Sequence, residues 1–140
     1  MTVFHHKILL LLVGIMILAS CSSLVEKYLP AQKPTQNVGE QLLVNGIKSY
    51  EDGEYNSAVR NLQDAINAGL SRKIDSAKAH KYLAFIACGS NNTPICNDEF
   101  RKAFEDDPNF ALDAAEAGHP VWGPVYRGIR DQMKFKEKPR

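Results

Sequence analysis

The sequence is short of cysteine, of long apolar runs and of charge of one sign, and each shortage removes a class of protein. Three cysteines in 140 residues are too few for a disulfide-built scaffold. No Cys-x-x-Cys pair occurs, and His80 and His119 lack ligand spacing, so no metal site is expected. The longest apolar run, Ile8 to Leu18, falls well short of the roughly 20 residues that cross a bilayer. Basic and acidic residues number 17 and 16. Residues 1–20 hold one basic residue, Lys7, and no acidic one, so the chain from Cys21 onward is formally neutral. That balance gives no electrostatic footing for nucleic acid. Neither His-Glu-x-x-His, Gly-x-Ser-x-Gly nor a phosphate-binding loop is present. Neither catalysis nor a cofactor is therefore expected. Glu116 near His119 is the closest approach to an acid/base pair, and beside a turn such a pair reads as a structural hydrogen bond.

What is present begins with the N-terminus. Met1 to Lys7 is short and weakly basic, Ile8 to Leu18 is apolar except for Gly14, and Leu18-Ala19-Ser20-Cys21 follows. The apolar block has the length of a signal-peptide core, and Ala19 and Ser20 fit a peptidase cleft. The tetrapeptide resembles the lipobox of bacterial lipoproteins. That resemblance implies cleavage before Cys21, diacylglycerol on its sulfur and acylation of the new amino terminus. A single acyl chain holds a protein only reversibly, whereas several anchor it durably. Ser22 and Ser23 come next, without the Asp that retains enterobacterial lipoproteins in the inner membrane. The expected place is the outer membrane, facing the periplasm. Residues 21–39 are polar and broken by Pro30 and Pro34, which bias the backbone toward extended forms. They read as a linker, with room for a short helix at Leu24 to Leu29.

Helical periodicity starts at Gln41. Leu42, Leu43, Gly46, Ile47 and Tyr50 share a face that ends at Asp52-Gly53. A second helix runs from Tyr55 through Ala58, Val59, Leu62, Ala65 and Ile66 to Gly69. A third, capped by Asp75-Ser76, carries Ala79, Tyr82, Leu83, Phe85, Ile86 and Ala87. After the turn residues Gly89–Pro94, a fourth spans Ile95 to the Asp107-Pro108 stop. A shift of 38 residues superposes like on like: Gly46 on Ala84, Ala58 on Cys96, Leu62 on Phe100, Ala65 on Ala103. Small residues let helices approach closely, and Leu62 and Phe100 fill the space between.

This spacing over residues 40–109 resembles the tetratricopeptide repeat (TPR), without the tryptophan of its first helix, where Leu42 and His80 stand. The TPR period is about 34 residues, so the surplus falls in Gly69–Asp75. The resemblance implies an all-α fold of two TPR-like hairpins. Two repeats are fewer than a solenoid usually needs, and residues 110–133 are expected to cap the open end. They offer a short helix at Ala114–Ala117, a turn around Trp122 and a last helix with Val125, Tyr126, Ile129 and Met133. Residues 134–140 form a basic tail. From Arg127 onward six basic residues face Asp131 and Glu137, as a solvated end or as a contact with anionic lipid or an acidic partner. In TPR proteins the first helix of each hairpin lines a groove for a partner's peptide or helix. Carried over by position, that groove is Leu43, Ile47, Tyr50, Lys81 and Phe85. Two occupants fit it, another envelope protein or the domain's own C-terminal segment.

The segments Ala79–Ile86, Phe100–Phe104, Asp107-Pro108-x-Phe110 and Ala115–Pro124 are similar to short proteobacterial TPR lipoproteins associated with type VI secretion. That similarity implies an accessory factor acting by protein contacts in the envelope. A TPR lipoprotein regulating peptidoglycan synthesis, or outer-membrane or secretin assembly, is the rival. With Cys21 used for lipid, Cys88 and Cys96 remain, facing each other across the third turn in an oxidising compartment. A disulfide there would stabilise the domain by about 2–3 kcal/mol on a loop-entropy estimate. Alkylation of the denatured protein is predicted to label Cys88 and Cys96 only after reduction; equal masses with and without reductant count against the bridge.

Overall fold

A computed structural model describes residues 37–137, with side chains through Phe135. The expected signal peptide, Cys21, most of the linker and the last three residues lie outside the described residues. Within them six helices follow in order: α1 (Val38–Glu51), α2 (Tyr55–Ala68), α3 (Lys73–Gly89), α4 (Thr93–Asp106), α5 (Ala114–Ala117) and α6 (Gly123–Glu137). The described residues are all-α. Helices α1 and α2 form one TPR-like hairpin, α3 and α4 the second, α2 and α1 pack on α3, and α6 lies on α4 as a cap. No helix among the described residues is long and apolar enough to cross a membrane.

Helix ends follow local chemistry. Helix α1 starts three residues before the expected Gln41, because the Asn37 side chain accepts from the Gly39 N–H at 3.2 Å. The same side chain donates to the Gly69 carbonyl at 3.2 Å, pinning the start of α1 to the end of α2. Gly39 permits this contact, since a Cβ there would lie 2.5 Å from the Gly69 oxygen. Gly53 and Gly69, with φ of 78° and 86°, take the left-handed conformations that close the turns. Helix α4 starts with Asn92 accepting from Ile95 N–H and with Pro94 in its first turn, a position that needs no donor. Helix α5 has a reciprocal capping box between Asp113 and Glu116.

Two boundaries differ from expectation. Helix α3 begins at Lys73, so Asp75 and Ser76 lie inside its first turn rather than capping it. Asp75 is buried and receives a two-pronged contact from Arg72, 2.7 Å to Nε and 2.8 Å to Nη2. The guanidinium satisfies the carboxylate more fully than a capping bond would. At the other end, α6 continues to Glu137, taking in residues expected to be tail.

The core has two parts. Leu43, Ala58, Leu62, Ala65, Ala79 and Leu83 form the first. The second gathers Phe85, Phe100, Phe104, Leu112, Tyr126 and Ile129 with Ala84, Ala87 and both cysteines. Tyr50 and Tyr82 pack against both. All four residue pairs that the shift superposes are buried. Gly46 shows why small residues stand there: a Cβ would sit 2.7 Å from Leu62 Cγ, and Leu62 has no exposed surface and nowhere to move. Helix propensity alone favours Gly46→Ala by up to about 1 kcal/mol, whereas overpacking costs about 1–3 kcal/mol. A net loss of stability is predicted for Gly46→Ala in urea denaturation; a gain would refute the close approach of α1 to α2.

Candidate protein-binding surface

The groove residues expected from the repeat divide into two groups. Leu43 and Phe85 are interior, 5% and 4% exposed. The Trp122 indole stacks on the Phe85 ring at 4.4 Å with an interplanar angle of 23°. Lys81 is engaged as well: its Nζ is 2.5 Å from Glu116 Oε1 and lies over the rings of Tyr82 and Phe85. The part of the groove built by α3 is therefore occupied by the domain's own C-terminal segment. Apolar burial satisfies Leu43 and Phe85 within the domain, and the ion pair with Glu116 does the same for Lys81. Ile47 and Tyr50 remain half-buried. Tyr50 lies 5.0 Å from the Tyr82 ring and 5.7 Å from Tyr55, and burial pushes the hydroxyls of Tyr50 and Tyr82 up.

Glu116 holds the covering segment in place. One carboxylate oxygen takes Lys81 and the other accepts from the Asp113 N–H at 3.2 Å. Its backbone carbonyl accepts from Trp122 Nε1 at 2.9 Å. His119 lies flat on Trp122, and its Nδ1 accepts from the Val121 N–H at 3.2 Å. The side chains of Glu116 and His119 are thus each engaged by other groups rather than by one another. Gly123 lets α6 start against α5, where a Cβ would fall 2.5 Å from the Ala117 oxygen. Tyr126 then stacks on Phe104 at 5.7 Å, and its hydroxyl accepts from the Leu112 N–H.

Between Phe104 of α4, the segment Pro108–Leu112 and Tyr126, Arg130, Met133 and Lys134 of α6 lies a groove of about 670 Å³. Sequence reading did not find it, since no spacing announces a cleft shared by three separate segments. Cys88 and Cys96 are brought to disulfide distance, with Cα atoms 5.1 Å apart, at the tip of the second hairpin.

A polar seam between α3 and α4, buried at His80 and Glu99 and open to solvent at Lys73, also went unnoticed, although both helices carry it at the same spacing. On α3, Lys73, Ser76 and His80 fall on one face; on α4, Glu99, Lys102 and Asp106 do. His80 Nδ1 is 2.6 Å from Glu99 Oε2, and its Nε2 is 3.6 Å from Asp106 Oδ2. Lys102 reaches Glu99 at 3.0 Å, Lys73 reaches Asp106 at 3.1 Å, and Ser76 Oγ donates to Asp106. Among the described residues, no group of three or more metal-ligating side chains is arranged to hold an ion. No family model, curated protein or solved structure matches the chain.

The seam makes stability depend on pH. Burial pushes the Glu99 carboxyl up, but hydrogen bonds from His80 and Lys102 outweigh it and hold the group below its ordinary range. Asp106 is likewise lowered: burial raises it, and Ser76 and Lys73 more than compensate. A carboxyl depressed in the folded state contributes stability that is fully present above its unfolded pKa and lost as pH falls through the folded one. For Glu99 that loss begins near pH 4.5. Glu99→Gln is predicted to be less stable than the wild type at neutral pH in urea denaturation, and the gap is predicted to narrow as pH drops below that value. A gap independent of pH would rule out the seam as its source.

Proposed function

We propose that this chain is a membrane-anchored periplasmic adaptor, a TPR-like scaffold lipoprotein held at the outer membrane through lipid on Cys21 and working by protein contact rather than catalysis. The observation that carries the reading is one chain joining Leu18-Ala19-Ser20-Cys21, behind an apolar run, to a two-hairpin helical domain. Supporting it, the nearest approaches to reactive constellations are tied up structurally. Glu116 holds Lys81 and the α5 cap, while His80 and Glu99 hold each other. The narrower reading, an accessory factor of a type VI secretion apparatus, rests on the similarity of Ala79–Ile86, Phe100–Phe104 and Ala115–Pro124 to short proteobacterial TPR lipoproteins.

Two measurements on the native protein test this. Cys21→Ser is predicted to abolish incorporation of labelled palmitate and to release the protein from the membrane fraction. A variant that still partitions fully into detergent and pellets with membranes would falsify the anchor. Crosslinking in intact cells, followed by pull-down and mass spectrometry, is predicted to recover components of a contractile secretion apparatus. Recovery of a cell-wall synthase or a secretin instead would assign the adaptor to the rival machinery.

A further inference from the structure

We propose that residues 113–122 are a displaceable occupant of the α3 face, and that a protein partner takes their place by presenting the same two groups, a carboxylate to Lys81 and an aromatic ring to Phe85. The inference rests on the adaptor reading and adds how the face becomes available and what chemistry claims it. The seat belongs to the hairpins. Tyr82 and Phe85 meet edge-on at 6.0 Å on α3, and Tyr50 of α1 lies 5.0 Å from Tyr82. Lys81 Nζ stands over the Tyr82 and Phe85 rings at 4.8 and 5.5 Å. None of these contacts involves the C-terminal segment. The occupant is slight by comparison. None of the four residues of α5 is buried, and a single helical turn does not stand without outside contacts. It is held by the Glu116 bond to Lys81, the Trp122 stack on Phe85, an exposed bond from Arg127 to the Ala117 carbonyl, and the packing of Ala117 on Gly123. On either side lie anchors of their own. Before it, Leu112 is buried and its N–H is bonded to the Tyr126 hydroxyl; after it, Tyr126 and Ile129 are buried, with Tyr126 stacked on Phe104. Lifting residues 113–122 therefore leaves α6 on α4.

What leaves the seat fixes what can enter it. The Lys81 side chain is 16% exposed and Phe85 4%. Removing the carboxylate leaves a partly desolvated ammonium unpaired, and removing the indole returns apolar surface to water. A segment that supplies one group without the other meets only half of that cost. Lys78 and Asp107 line the hollow beside Lys81; opposite in sign, they leave the Lys81 charge to be met by the incoming acid. Trp122 Nε1 donates to the Glu116 carbonyl at 2.9 Å, which brings acid and ring together across six positions of sequence. The matching feature in a partner is an acidic residue beside an aromatic one on a compact turn. An occupant on the same chain acts at an effective concentration on the order of millimolar. Self-occupancy thus screens out segments that reproduce only one of the two contacts.

Trp122 is the only tryptophan, so its fluorescence reports the occupant itself. The full-length protein is titrated with a synthetic peptide of residues 113–124 carrying Trp122→Phe, which has no indole of its own. A control peptide carries Glu116→Lys in addition. The first peptide is expected to shift the Trp122 emission saturably to the red, as the indole leaves Phe85 for water, and the control to leave it unchanged. Glu116→Gln in the protein weakens the resident segment and is expected to lower the half-saturating concentration of the first peptide about tenfold. Lys81→Glu is expected to reverse the preference, so that the control peptide produces the shift. No shift with either peptide in the Glu116→Gln protein, or equal shifts with both, overturns the proposal and makes the segment a fixed cap. Loss of the helical circular dichroism in Glu116→Gln also overturns it, because the segment would then belong to the framework. If the cellular crosslinking recovers a partner while Trp122 stays silent to both peptides, the adaptor reading stands and the partner binds elsewhere.

Discussion

Two helical hairpins laid side by side leave the outer face of the second without a neighbour. In this chain that face carries Phe85, Phe100 and Phe104, which are buried only because Trp122 and Tyr126 lie on them. Every other feature of the C-terminal segment follows from that need. The Asp113–Glu116 capping box makes a helix of four residues viable, Lys81 clamps Glu116 from α3, and Gly123 lets α6 start at the closest possible distance from α5. A longer array would meet the same demand with another repeat. Here a single indole and a single phenol do it, and the face that repeats of this kind offer to a ligand is used in part to finish the fold.

The two hairpins are held together in different ways. In the first, close approach does most of the work: Gly39 and Gly46 bring α1 against α2, and Leu62 fills the space. The second is braced by Cys88 and Cys96 at its turn and by a seam that runs from His80 and Glu99, midway along the helices, to Asp106 where α4 ends beside the start of α3. Buried ionic contacts add little net free energy against their desolvation, but they penalise any register in which a partner is lost. The seam thus fixes how α3 and α4 align, while Phe85 and Phe100, whose rings meet edge-on at 6.1 Å, supply the apolar burial.

Much of this was legible in the sequence because it depends on residue size at fixed intervals. Gly46, Ala58, Leu62 and Ala65, repeated as Ala84, Cys96, Phe100 and Ala103, define both hairpins from spacing alone. Asp107-Pro108 and Gly69 mark helix ends without any knowledge of packing. Boundaries failed where a specific partner decided them: Asn37 caps α1 through Gly39 and is held by Gly69 far along the chain, and Asp75 enters α3 because Arg72, three residues before it, neutralises it. The fate of Phe85 was open for a similar reason. Position in a repeat names a groove residue, but only the path of the chain after Pro108 shows that Trp122 reaches it. The seam was written in the i, i+3, i+7 spacing of polar residues on α3 and α4, a pattern that also describes a solvated face.

The cap also orders events in time. Contacts within each hairpin join residues close in sequence, whereas the contact of Phe85 with Trp122 closes a longer loop at a greater entropic cost. A nascent chain can complete both hairpins and still display Phe85, Phe100 and Phe104 as an uncovered apolar face. That interval ends only when Trp122 and Tyr126 are in place, so the last sixth of the polypeptide serves as a completeness check. A chain shortened before Trp122 announces its defect by the surface it leaves showing, which quality-control proteases and chaperones are built to read.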